Sequence, residues 1–246
     1  MVQAWRRAST QGIGLFRFAE RRAARARAIV DAEAEAQRID AANAEIYRDL
    51  CAEAASDWAK LTEHAPEAVI NAIDAAYADN ASESTCIDAG TEPEGTRYAT
   101  VTVLFGSVEL IPEKVSALTP TGRPTVKKRT KTDRNALYVS ALASTVLATV
   151  REALQCSPAT DEVRVIVLRR APGTVVSAMS MEAIYAATFD RELVAKLDLR
   201  RVDLSSMLLQ IPEAQLRRTG ATLEVVALDD PDLADVAHRF AGALSS

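Results

Sequence analysis

Arg17, Arg21 and Arg25 recur at every fourth position with Arg22 beside them, so a helix here would stack four guanidinium groups along one side. Such a stripe can meet phosphates or an anionic membrane surface, with Trp5, Phe16 and Phe18 nearby to add apolar contact. It reads equally as a solvated face that keeps a helix soluble and pairs with acids of a second copy. A second basic group comprises Arg123, Lys127, Lys128, Arg129, Lys131 and Arg134, opposed by Asp133. Lys127, Lys128 and Arg129 are candidates for anion binding, although lysines bunched on an edge strand also guard it against pairing with another edge.

Carboxylates at the end of a strand, followed by a lysine, can hold Mg²⁺ and position water for phosphodiester cleavage. Glu109, Glu113 and Lys114 follow a strand here, with Asp88 upstream. Glu113 and Lys114 are adjacent rather than one residue apart, and Pro112 disturbs the strand, so the competing reading is a charged turn. The two histidines, His64 and His238, have no second histidine or cysteine at ligand spacing. His64 precedes Ala65-Pro66 at the end of a helix, where the dipole favours a positive imidazole acting as a cap. His238 reads as a surface residue. Gly12-Ile-Gly14 begins like a dinucleotide fingerprint but lacks the third glycine and a preceding strand. There is no phosphate-binding lysine loop and no Gly-x-Ser-x-Gly elbow. The sequence therefore assigns no catalytic residue, no cofactor and no metal ligand.

The elements that must position these groups differ sharply along the chain. Of the 246 residues 48% are hydrophobic but only 5% aromatic, because alanine inflates the apolar share. Val, Leu, Ile and Met concentrate after residue 98, so the core belongs there. The net charge of −5 is uneven: Met1 to Arg27 holds seven arginines against Glu20, a local +6 that leaves the remainder at −11. That asymmetry points toward an anionic partner. Cys51, Cys86 and Cys156 match neither a disulfide framework nor a zinc pattern, which suits a reducing compartment. No stretch approaches the ~20 apolar residues of a membrane span. Gly12 to Phe18 is too short and interrupted for a signal-peptide core. The expected location is the cytoplasm.

From Leu15 to Leu61 there is no Gly or Pro, and Ala, Glu and Arg dominate, which predicts one long helix. Its large apolar residues, among them Ile29, Ile39, Ile46, Leu50 and Trp58, keep no strict heptad; an Ala-based helix pair and a solvated arm both remain open. Pro66 to Ala78 predicts a short second helix, and Asn80 to Gly95 a polar linker. The expected organisation is a basic tail, arm and second helix over 1–80, a linker over 81–97 and an α+β domain over 98–246. Within that domain we expect strands at Tyr98–Phe105, Val108–Ile111, Thr125–Lys128, Val163–Leu168, Met179–Phe189 and Thr222–Ala227. Thr132 or Asp133 should cap a buried helix running to about Leu154, with short helices capped by Asp190 and Asp203 and a final helix over Pro231–Leu244. Pro172-Gly173 should turn the chain between two of the strands. The fold class is α+β, with a mixed sheet rather than a regular βαβ repeat.

The pattern Trp58, Pro66, Ala76-Tyr77-Ala78-Asp79-Asn80, Ile111-Pro112-Glu113-Lys114, Leu137-Tyr138, Leu147 to Leu154 and Val163 to Val167 resembles a group of actinobacterial proteins of unknown function. In those an Ala/Glu/Arg-rich helix precedes a module of this shape. The resemblance covers roughly residues 50–230 and implies the architecture without an activity. The leading expectation is a non-enzymatic interaction or scaffold protein, its arm serving spacing or self-association and its domain presenting a surface to a protein partner. The alternatives are a nucleic-acid-binding protein using the arginine stripe and a metal-dependent nuclease built on Glu109 and Glu113.

Overall fold

The computed structural model describes residues 8–13, 17–80, 83–171, 180–198 and 203–244. The chain divides into two compact units, Met1–Trp58 and Ala59–Ser246. The division falls inside the long helix, earlier than the boundary near residue 80 that composition suggests.

The first unit is dominated by helix α1, Phe18–Thr62, whose 45 residues continue four positions past the boundary. At ~1.5 Å per residue it is roughly 68 Å long. Exposed i,i+3 pairs, Arg17–Glu20 at 2.7 Å and Arg38–Glu35 at 2.8 Å, support it locally. Only Ala28 and Ala32 are buried along it. Large side chains such as Ile46, Tyr47 and Leu50 stand exposed.

In the second unit α1 ends in a Schellman motif. The Ala65 N–H donates to the Lys60 carbonyl and the His64 N–H to that of Leu61, with His64 at φ 59°. Helix α2, Pro66–Tyr77, starts on its proline and buries Val69, Ile73 and Tyr77 at i, i+4 and i+8.

The stretch read as a linker is instead partly strand β1, Ser84–Thr91, which pairs antiparallel with β2, Arg97–Leu104. Asp74 on α2 fixes its start by accepting from the Cys86 N–H (2.7 Å) and the Thr85 hydroxyl (3.1 Å). β1 buries only Cys86 and Ala89, so a half-exposed edge strand carries a linker-like composition.

After β2 a one-turn 3₁₀ helix covers Val108–Leu110, where a partner strand was expected. Ser107 caps it by accepting from the Glu109 N–H, and the following Pro112 has no N–H for a ladder. Strands β3, Lys114–Leu118, and β4, Pro124–Lys128, form a separate antiparallel ribbon. Helix α3, Lys131–Cys156, then crosses to β5, Glu162–Arg170, which lies parallel to β2. The cap of α3 is Thr130 rather than Thr132 or Asp133, its hydroxyl accepting from the Asp133 N–H within the first turn. β6, Met181–Asp190, returns antiparallel to β5. The sheet order is β1-β2-β5-β6, a mixed sheet as the pattern of elements predicts. The Pro172-Gly173 turn lies outside the described residues.

Short helices α4, Arg191–Lys196, and α5, Leu204–Gln210, are capped by Asp190 and Asp203 as expected. The strand expected at Thr222–Ala227 shrinks to a two-residue rung, β7 (Arg218–Thr219) with β8 (Glu224–Val225). Leu223 at φ 56° cannot continue an extended run. Helix α6 covers Pro231–Leu244.

The main core lies between one face of the sheet and α2 and α3, with Val101, Val165, Leu142, Val146, Tyr185 and Phe189 fully enclosed. A smaller cluster lies with Ala237 and Ala241 of α6 against Ile166, Leu168 and Met181. Among the described residues α3 is long and apolar enough to cross a membrane, and 56% of that stretch is buried as the core helix of this unit. The class is thus α+β: a long N-terminal helix, a mixed sheet, one buried helix and several short ones.

Candidate binding surfaces

The sequence-predicted charged residues fall in both units, Arg17, Arg21, Arg22 and Arg25 in the first and Lys127, Lys128 and Arg129 in the second. In the first unit Arg17, Arg22 and Arg25 are exposed, whereas Arg21 is half-buried and the stripe is uneven. Arg17 is partly neutralised by Glu20.

In the second unit the basic residues take a defined geometry that spacing alone cannot reveal. Pairing in the β3–β4 ribbon sets Lys114 against Lys128, Ser116 against Val126 and Leu118 against Pro124 on one face. All six of these residues are exposed. The opposite face carries Val115 and Ala117, half-buried, with Thr125 and Lys127 across from them.

The turn is ordered by its own chemistry. Thr119 N–H donates to the Arg123 carbonyl and Gly122 N–H to that of Thr119, while Thr119 Oγ1 accepts from the Arg123 N–H at 3.0 Å. Pro120 suits the second position of this turn, and Gly122 at φ 78° supplies the left-handed residue. At the base, Arg134 Nε donates to the Ile111 carbonyl at 2.7 Å and its Nη1 reaches Glu113 at 3.4 Å. Lys128 shares Glu113 at 3.9 Å. Among the described residues Lys114, Arg123, Lys127 and Lys131 form no ion pair. Glu113 thus serves as an anchor for two cations, and Glu109 lies in the 3₁₀ turn. No group of three metal-ligating side chains occurs among the described residues.

His64 departs from the cap expected of it. Its imidazole is buried, with Nε2 3.1 Å from Thr160 Oγ1, which is 2.6 Å from Ser157 Oγ. Burial, with the Arg97 charge adding to it, lowers the His64 pKa, so the ring is held toward its neutral form. Ser157 and Thr160 have no solvent exposure, so this His-Thr-Ser chain presents no nucleophile to a substrate.

Around it Arg97 grips Asp161 through its backbone N–H, Nε and Nη2 at 2.9–3.0 Å. Those hydrogen bonds bring the Asp161 carboxyl down to about 2. Arg191 closes the end of α3, donating to the carbonyls of Leu154, Ser157 and Thr160 at 2.6–3.0 Å. None of these long-range pairs leaves a periodic trace in sequence.

On the sheet face away from α3, Arg164 stacks 4.0 Å over the Tyr98 ring and pairs with Glu92 and Glu162, each at 2.7 Å. Tyr98 donates to Asp88, and the ring lies over Gly90, where a Cβ would come within 2.9 Å of the phenol oxygen. An open groove of about 570 Å³ runs beside α3, lined by Asn80, Leu104, Phe105, Gly106, Ser144 and Glu152. Its carboxylate, Glu152, accepts from the Asn80 amide. His238 is exposed, as the sequence suggests.

Comparison with protein-family models, with curated proteins and with solved structures finds no match to this chain.

Proposed function

We propose that the chain is an interaction or scaffold protein: α1 associates with a second helix and the α+β unit presents a binding surface. The observation that carries this reading is the exposed apolar run on α1. Ile39, Ile46 and Leu50 fall on one side of the helix, with Tyr47 next to them, and all four are exposed. A long helix whose largest side chains face water lowers its free energy by covering them, and another helix of the same kind fits that stripe. Asn43 lies between Ile39 and Ile46 on the same side, a polar residue of the sort that selects register in paired helices.

Sedimentation velocity on the full chain tests this. The expected result is a species larger than one chain at micromolar concentration, reduced to a single chain by Ile46→Asp with Leu50→Asp. A wild-type chain that stays monomeric up to the highest soluble concentration, and that binds no protein partner through this stripe, would overturn the reading.

A second reading is nucleic-acid binding through the arginine stripe, favoured by the exposure of Arg22 and Arg25 on successive turns. Charge reversal at Arg21, Arg22 and Arg25 that leaves polyanion affinity unchanged removes the stripe from that role.

A further inference from the structure

We infer that the β3–β4 ribbon is a contact for double-stranded DNA, laid into the major groove. This rests on the reading of the α+β unit as a binding module and names its partner; it does not depend on association through α1.

The exposed face of the ribbon has a definite order. Lys114 and Lys128 form a cross-strand pair at its base, Ser116 and Val126 follow, then Leu118 and Pro124, and Arg123 ends the turn just before the return strand. From Lys114 to Leu118 the ribbon advances about 13 Å, close to the ~12 Å width of the B-form major groove. Cations at both ends can therefore reach phosphates on the two strands while Leu118 (72% exposed) and Val126 (64% exposed) face the groove floor with its thymine methyl groups. Two-stranded ribbons are among the elements that fit this groove. Counting from Glu113 to Arg134 there are seven basic residues and two acids, in a chain whose net charge is −5.

Edge protection does not account for this arrangement. A lysine on an edge strand needs no second lysine directly opposite, and like charges facing each other destabilise a ribbon. Nor does protection explain Leu118 and Val126, which would invite the contacts that lysines prevent. A phosphate lattice relieves the repulsion and uses the apolar residues. Insertion into a bilayer fits less well, because the turn that would enter first carries Thr119, Thr121 and Arg123. An RNA duplex is also disfavoured, since its deep, narrow major groove excludes a ribbon.

Fluorescence anisotropy with the full chain tests the assignment. The probes are a mixed-sequence DNA duplex of about 20 base pairs, the RNA duplex of the same sequence, and vesicles of phosphatidylserine with phosphatidylcholine, at ~50 and ~200 mM salt. We expect DNA to bind most tightly and the affinity to fall steeply with salt. Lys114→Gln, Arg123→Gln and Lys128→Gln together should weaken DNA binding tenfold or more and reduce the slope of log affinity against log salt by about 2–3. Leu118→Ser with Val126→Ser should weaken binding at an unchanged slope, which a merely electrostatic ribbon would not show. Circular dichroism identifies a variant that fails to fold, and these side chains, all exposed, leave the core untouched.

Equal binding of the triple variant and the wild type, preference for the vesicles or the RNA, or loss of DNA binding only on reversal at Arg21, Arg22 and Arg25 would each overturn the inference. Failure of association through α1 is seen separately: Ile46→Asp with Leu50→Asp changes the sedimenting mass, and DNA affinity per ribbon persists.

Discussion

His64 shows how much a single side chain does here. The C′ position of a Schellman motif favours glycine, because a side chain in the left-handed region crowds the following carbonyl. The chain accepts a histidine at φ 59° and uses its ring to reach Thr160 in the connection before β5. Two opposing terms follow. His64→Gly relieves the backbone by about 1 kcal/mol. It also removes a buried ring and its hydrogen bond, a loss of about 2–4 kcal/mol. His64→Ala suffers the second loss without the first relief. We therefore expect both variants to be destabilised in urea titrations, with Gly the more stable of the two by about 1 kcal/mol. Alanine equal to or better than glycine would show that the left-handed strain is not real. The sign of the pH effect also follows. Burial lowers the folded pKa of His64 below its unfolded value, so the unfolded chain binds more protons on the acid side of 6.5. This residue's contribution is intact above 6.5 and declines as pH falls below it, and His64→Gln should flatten that part of the stability curve.

At the scale of elements, the second unit is stitched where helices end and strands begin. Arg191, the first residue of α4, satisfies the carbonyls left open at the end of α3 with a charge suited to the negative end of the helix dipole. Arg191→Met keeps the length of the side chain and leaves those carbonyls without their donor, a cost of about 3 kcal/mol in chemical denaturation. Arg191→Lys should recover part of it; a lysine variant no better than methionine would assign the effect to packing instead. Helices were the legible elements, because α3 and α6 repeat large apolar residues at helical spacing and α4 and α5 begin on aspartate caps. Strand β1 was not, since its buried residues are the small Cys86 and Ala89 and its exposed ones are those of a loop. Val108–Leu110 has strand composition, but Ser107 and Pro112 on either side close it into a turn. The charge of the ribbon was visible in Lys127, Lys128 and Arg129; the pairing that places Lys114 across from Lys128 depends on the turn at Thr119–Arg123 and appears only in three dimensions.

For the whole molecule the two compact units differ in what holds them. In the second, burial is dense: Leu142, Val146 and Val150 of α3 are completely enclosed against the sheet. Along α1 between Ile39 and Trp58 no residue is buried, and the helix rests there on propensity and local pairs, each worth only tenths of a kcal/mol. An isolated helix of this kind frays and opens readily, whereas a core helix opens only with global unfolding. Native-state hydrogen exchange should therefore show the amides of residues 40–56 exchanging at least ~100-fold faster than those of residues 142–150 in dilute protein. If α1 pairs with another copy, covering Ile39, Ile46 and Leu50 adds stabilisation by mass action, so protection over 40–56 should rise with protein concentration while that of α3 stays constant. Slow, concentration-independent exchange across the exposed half of α1 would contradict the pairing of α1 with a second copy, because a lone helix with its largest side chains in water has no other source of protection.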